Sequence, residues 1–119
     1  GTCMACIESC PTQALGEYKI DARKCISYLT IEHRGDLPEG NSDLHGWIYG
    51  CDVCQEVCPW NEKFSIKTGL DEFKPREEIA NFKRDDWDNL SEEDFKKIFK
   101  GSAVKRTKYV GLKRNIGQN

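Results

Sequence analysis

No stretch of this 119-residue chain approaches the roughly 18 consecutive apolar residues that a membrane-crossing helix requires. Low-complexity segments are also missing, and the first residues lack the charged and then apolar pattern of a secretory leader. Cysteine is absent after Cys58, and no acidic residue follows Asp94. The mean hydropathy of −0.69 and the 32% of charged residues point to a soluble chain. Its length suits one domain, or a small domain with an appendage, around a modest core. A first residue of Gly rather than Met leads to the expectation of a piece of something longer.

The acids that stop at Asp94 leave a strong asymmetry under a net charge of only −2. Residues 1–95 carry ten Lys or Arg against all twenty Asp and Glu, whereas residues 96–119 carry eight basic residues and no acid. An unbroken basic block is either a solvated helix face or a surface that meets phosphates, since counterion release from nucleic acid rewards such a block. Lys105, Arg106, Lys108, Lys113 and Arg114 are the candidate phosphate contacts.

Seven cysteines are present, all within the first 58 residues. An odd number fits a disulfide scaffold poorly, and C-x2-C pairs favour a metal in a reducing compartment, so the cytoplasm is the expected location. CMACIESCP (3–11) gives Cys3-x2-Cys6-x3-Cys10-Pro11, and CDVCQEVCP (51–59) gives Cys51-x2-Cys54-x3-Cys58-Pro59. Each run is the bacterial two-cluster pattern C-x2-C-x2-C-x3-C-P with its first cysteine missing. In that pattern three thiolates on a tight loop reach one iron–sulfur cube, and the fourth, a turn further on, points to a second. Cys25 is the obvious substitute in the second run, and the first run's missing ligand is expected just before Gly1. Zinc held by two C-x2-C pairs remains the rival reading, although it leaves Cys10, Cys25 and Cys58 idle. A thioredoxin-type motif expects a single C-x2-C in a strand–helix context.

The fold class expected is mainly α with a little β: a two-cluster ferredoxin-like domain over 1–62, truncated at its N-terminus, then a helical segment over 63–119. A short extended or hairpin piece falls around Gly16. Asp21 is the expected N-cap of a helix over 22–33, and residues 35–46 read as loop. The second cysteine run forms one or two helical turns and stops at Pro59. A short helix starts at Pro75. Ser91-x-x-Asp94 is a capping box for a helix over about 92–100 with Phe95, Ile98 and Phe99 inward, stopped by Gly101. A last helix runs from about Ser102 to Asn115. These paired helices look like units of a helical repeat, with no period established.

ESCPTQAL (8–15), KIDARKCISYLTIEHRG (19–35), IYGCDVCQEVCPWN (48–61) and SAVKRTKYVGLKRN (102–115) closely resemble the epoxyqueuosine reductases. The resemblance covers almost the whole chain. It implies a cobalamin-binding catalytic domain, then a two-cluster ferredoxin-like domain, then helical repeats, acting on a modified base of tRNA. It thereby makes tRNA the partner of the five basic candidates. It implies one [4Fe-4S] cluster on Cys10, Cys25, Cys51 and Cys54. A second would sit on Cys3, Cys6, Cys58 and a cysteine before Gly1, and so be incomplete, labile or completed by a non-cysteine ligand here. The chain is then the electron-transfer portion of an oxidoreductase, fed by an external electron donor, and inactive alone because the cobalamin-binding catalytic domain is missing. The alternatives are a modular ferredoxin serving another cobalamin-dependent reductase and a zinc-stabilised nucleic-acid-binding module.

Trp60 and Asn61 are expected to cover a cluster and cap the turn, and Tyr28, Trp47 and Tyr49 to pack around the clusters. His33 and His45 read as helix-end and loop residues rather than ligands.

Overall fold

Apolar residues come in short bursts between turn-forming residues, and the chain answers with short elements. In the computed structural model, which describes residues 2–119, the helices are four to nine residues long. They are α1 Ala5–Glu8, α2 Ile26–Ile31, α3 Val53–Glu56, α4 Pro59–Phe64, α5 Glu77–Ala80, α6 Arg84–Asp88, α7 Glu92–Ile98 and α8 Lys108–Ile116. Strands β1 Leu15–Gly16 and β2 Lys19–Ile20 pair antiparallel, Leu15 opposite Ile20 and Gly16 opposite Lys19. The hairpin turns through Tyr18, whose φ of 54° is left-handed. A mainly helical chain with one small hairpin is what the pattern predicts.

Several boundaries differ from expectation, each for a local reason. The helix expected from 22 begins at Ile26, with Cys25 as its N-cap. The Asp21 carboxylate is taken by Arg23, accepting from its backbone N–H at 3.1 Å and its guanidinium at 3.0 Å, so it closes a turn instead of starting a helix. Pro59 does not end a helix: it is the first residue of α4, where a missing N–H costs nothing. The final helix is split. Ser102 caps a 3-10 turn over Ala103–Thr107, and α8 starts afterwards at Lys108, whose φ is 62°. Helix α6, with Trp87 as its one apolar residue, has too little periodicity to be assigned from sequence.

The helix start expected at Ser91 holds at α7, but only half of the capping box forms, because the Asp94 carboxylate accepts from the Ser91 hydroxyl instead of the Ser91 N–H. Ser91 Oγ accepts from the Asp94 N–H at 3.0 Å, Phe95 and Phe99 are buried, and Gly101 takes φ 74° after the helix. Phe95, Phe99, Leu90, Leu112 and Ile116 form one core, and Ile48 packs against it from the cysteine-rich half. A second core joins Ile26, Leu29 and Leu44, with Trp47 and Cys51 at its edge.

The two cores meet through polar groups. A six-residue helix leaves its last carbonyls without N–H partners, and those of α2 are filled from α8 and the turn before it. The Leu29 carbonyl accepts from Arg114 Nη2 at 2.6 Å. The Thr30 carbonyl accepts from Thr107 Oγ1 at 2.8 Å and Asn115 Nδ2 at 2.9 Å. Arginine does the same elsewhere: Arg76 reaches the carbonyls of Ile98, the last residue of α7, and of Lys100 beyond it, and Arg84 the Ile116 carbonyl of α8.

Candidate metal centre

The two cysteine runs fold almost identically. The Met4 carbonyl accepts from the N–H groups of Ile7 and Glu8 at 2.9 and 3.0 Å, and the Asp52 carbonyl from Gln55 and Glu56, both at 2.8 Å. Ser9 donates to Ala5 at 3.0 Å, as Val57 does to Val53 at 3.1 Å. Cys10 then donates to Ile7 at 3.4 Å, and Cys58 to Gln55 at 3.3 Å. Identical spacing has therefore produced one repeated single-turn helix that carries a cysteine inside it (Cys6, Cys54), one before it (Cys3, Cys51) and one after it (Cys10, Cys58). The copies α1 and α3 pack against each other.

Beyond their prolines the two runs diverge. After Pro11 the chain turns back through Gln13, at φ 51°, and the Ala14 N–H points at Cys10 Sγ, 3.3 Å away. The Thr12 hydroxyl stands 3.8 Å from the same sulfur. After Cys58 the chain continues straight into α4, where the Asn61 side-chain amide donates to the Gln55 carbonyl at 2.9 Å and closes α3, as expected. Trp60 is 69% exposed, stacks on Phe64 at 5.4 Å and does not line the cysteine cavity described next.

Four cysteines line one cavity. Cys10, Cys25, Cys51 and Cys54 face it together with Pro11, Ala14, Leu15, Ile20, Ile26 and Val53, around about 370 Å³ of empty space including its mouth. They come from α1's end, α2's N-cap and both sides of α3's start. The walls between them are otherwise mostly aliphatic. Burial pushes the Cys51 thiol up, the Val53 N–H lowers it, and the charges of neighbouring Cys54, Cys25 and Cys10 raise it further. At Cys10 burial also acts upward, but the Leu15 and Ala14 N–H groups and Thr12 outweigh it and the thiol is lowered. Several thiolates crowded among aliphatic side chains repel one another, and bound cationic metal relieves that repulsion. Among the described residues no three His, Cys, Asp or Glu side chains converge as closely as a single ion requires. Cys3, which is exposed, and Cys6 line a separate open groove with Met4, Ile7, Glu17 and Tyr18. Cys58 lines neither space.

A model of the 4Fe-4S double cluster binding domain matches residues 1–61. The chain belongs to that family. Over 98% of its length it is 51% identical to an epoxyqueuosine reductase of Leadbetterella byssophila, of which it spans 38%. It superposes on a selenomethionine-labelled epoxyqueuosine reductase with a TM-score of 0.85 at 32% identity, covering 99% of this chain and 32% of that one. An epoxyqueuosine reductase crystallised with an epoxyqueuosine-modified stem loop of tRNA-Tyr matches with a TM-score of 0.75 at 30% identity, again over 99% of this chain and 32% of the other. The chain thus spans about a third of the length of these reductases.

Beyond the matched residues, the five basic candidates divide. Lys105 and Lys108 are exposed. Arg106 is exposed too, but it pairs with Glu32, and its backbone carbonyl accepts from Arg34. Lys113 donates to the Asp88 carbonyl. Arg114 is spent on the Leu29, His33 and Gly35 carbonyls and on Asn115. Burial and then Arg34 lower its affinity for a proton. His33 Nε2 lies 2.7 Å from the Asp36 carbonyl and His45 sits in a turn at φ 50°, loop roles as expected. Trp47 belongs to the core beside Cys51, Tyr49 donates to the Ala103 carbonyl at 2.9 Å, and Tyr28 is 39% exposed near His33.

The residues that sequence reasoning passes over are Ser27, Thr30, Thr107 and Asn115. The Cys51 N–H donates to Ser27 Oγ at 3.1 Å, and the Gly50 N–H to Thr30 Oγ1 at 3.0 Å. Asn115 Nδ2 also reaches the Ile48 carbonyl at 2.9 Å. One signal was present: asparagine is a poor helix former, yet Asn115 sits between Leu112 and Ile116 on the apolar side of α8.

Proposed function

We propose that this chain is the electron-delivery portion of an epoxyqueuosine reductase, with one [4Fe-4S] cluster held by Cys10, Cys25, Cys51 and Cys54. The observation that supports it is the cavity those four cysteines share, brought together from three separate segments. Such a cluster, when bound, supplies one-electron transfer at a potential set by its surroundings. The chain's part is to supply thiolates, keep water out with Ala14, Leu15, Ile20, Ile26 and Val53, and direct the Ala14 N–H and Thr12 hydroxyl at Cys10 Sγ. A tetrahedral zinc site needs four sulfurs about 2.3 Å from one point, and among the described residues no three such side chains converge that closely. Cys3, Cys6 and Cys58 are the proposed ligands of the second cluster, whose fourth ligand this stretch does not supply. The double-cluster unit is proposed to span 1–62 and the helical segment 63–119. Cobalamin, as electron acceptor, would be held by the part of such a reductase outside this chain's span, in a cytoplasmic enzyme fed by an external donor.

Anaerobic reconstitution tests the reading directly. Iron and acid-labile sulfide in equal amounts, with a paramagnetic signal that appears on reduction, are expected. Zinc binding without labile sulfide would defeat it.

tRNA is the proposed partner of the basic end, through Lys105 and Lys108, whose side chains remain in solvent. Reversing both charges (K105E with K108E) should weaken binding of a tRNA stem loop irrespective of its sequence. The slope of log affinity against log salt should fall by about one per lysine. An unchanged slope would remove these residues from the interface. Arg114→Ala is expected to act through stability instead, because its guanidinium closes α2.

A further inference from the structure

Asn115, Thr30 and Thr107 are polar side chains with 0–1% exposure, deep in a small chain where leucine would be the ordinary filling. None of their polar atoms is left unpartnered, and the same holds for every buried side-chain nitrogen and oxygen among the described residues. Apolar packing is non-directional and lets a short helix slide or rotate at little cost. Hydrogen bonds between fully buried groups allow one register only, since any other leaves a donor or acceptor unpaired.

The bonds run in a line toward the cysteine cavity. Asn115 Nδ2 bridges the Thr30 and Ile48 carbonyls, both at 2.9 Å, and so joins α2 to the strand of chain that enters the second cysteine run. Thr107 Oγ1 donates to the Thr30 carbonyl at 2.8 Å. Thr30 Oγ1 donates to the Ile26 carbonyl at 2.7 Å and accepts from the Gly50 N–H at 3.0 Å. Ser27 Oγ accepts from the N–H of Cys51 itself at 3.1 Å. Helix α2 thus carries Cys25 at its N-cap, is clamped at its other end by α8, and holds Cys51 along its side. Six residues are far too few for a helix to keep its place unaided.

We propose that Thr30 and Asn115, with Thr107, are positioning residues for the iron–sulfur site: through α2 they set Cys25 against Cys51, so the C-terminal helix governs cluster retention without touching the cluster. The inference rests on Cys10, Cys25, Cys51 and Cys54 holding that cluster. It gives α8 a task distinct from meeting RNA.

The test uses the whole 119-residue chain, reconstituted with iron and sulfide, and follows iron release to a chelator together with the low-temperature paramagnetic spectrum of the reduced protein. Thr30→Val keeps shape and removes the hydroxyl, while Thr30→Ser keeps the hydroxyl. Thr30→Val is expected to speed iron release about tenfold and alter the spectrum, as loss of supporting hydrogen bonds around metal ligands does, and Thr30→Ser to restore both. Asn115→Leu should behave like Thr30→Val. Leu112→Ala, which destabilises α8 without breaking a bond in the line, should lower the melting temperature and leave the spectrum unchanged. If Thr30→Val matches Thr30→Ser in release and spectrum, or Leu112→Ala matches Asn115→Leu in both, the positioning role is overturned. A wild-type chain that takes up no iron and sulfide would instead defeat the cluster reading beneath it.

Discussion

Replacing Cys25 by alanine is expected to cost the chain a whole four-iron complement, about four iron and four labile sulfide per molecule. Cys25 stands alone between the two runs, at the N-cap of α2, and faces the cavity of Cys10, Cys51 and Cys54. An alanine there leaves three thiolates in a mostly aliphatic cavity and an open corner that no other cysteine lines. Cys58→Ala removes the equivalent number of sulfurs, yet Cys58 does not line that cavity, so the same cluster should survive it. Iron, sulfide and the reduced-state spectrum of the two variants, prepared side by side under argon, decide the matter. Retention by Cys25→Ala with loss in Cys58→Ala would mean that the ligand sets have been exchanged.

Removing iron should unfold one half of the molecule and spare much of the other. Helices α1, α2 and α3 have four to six residues, and the buried side chains near them are few: Ala14, Ile26, Leu29 and Leu44 among the apolar ones. Segments so short hold no structure without tertiary support, and in a small metallo-domain the binding free energy of the metal is folding free energy. The α7–α8 core of Leu90, Phe95, Phe99, Leu112 and Ile116 has no cysteine. After chelation, amide hydrogen exchange should approach unprotected rates over residues 3–58. Protection should persist at Phe95–Phe99 and Leu112–Ile116, weakened where α8 has lost α2. Exchange that stayed uniform along the chain, or helical ellipticity that did not change, would show that the cysteine-rich half folds without metal.

What could be read in advance was local. C-x2-C-x3-C-P specifies a single turn with three outward sulfurs, and that turn appears twice with matching hydrogen bonds. Ser91 and Asp94 announce a helix start because a capping residue acts within its own four residues. Arg114 shows the limit. On the helical pattern it is one more cation on a wet face, but its guanidinium closes the C-terminus of a helix 85 positions away in sequence. Nothing in KRN distinguishes a phosphate contact from a distant helix cap, since both ask for a cation with several donors. Asp21 fails for the opposite reason: it is a good capping residue with a closer competitor, Arg23, two positions on. The 3-10 turn before α8 depends on Thr107 being drawn to the Thr30 carbonyl, a contact 77 positions apart that no window can contain.

Ile48 stands three residues before Cys51, where a complete copy of the run would carry its first cysteine. Its side chain packs instead on the α7–α8 core, and its carbonyl is held by Asn115. The position that would carry the extra sulfur is here a joint between the cysteine-rich half and the helical half. Ile48→Cys would complete the spacing without making a symmetric ferredoxin. It would set a thiol against the α7–α8 core, outside the cavity of Cys10, Cys25, Cys51 and Cys54, and loosen the seam by which the far end of the chain is attached.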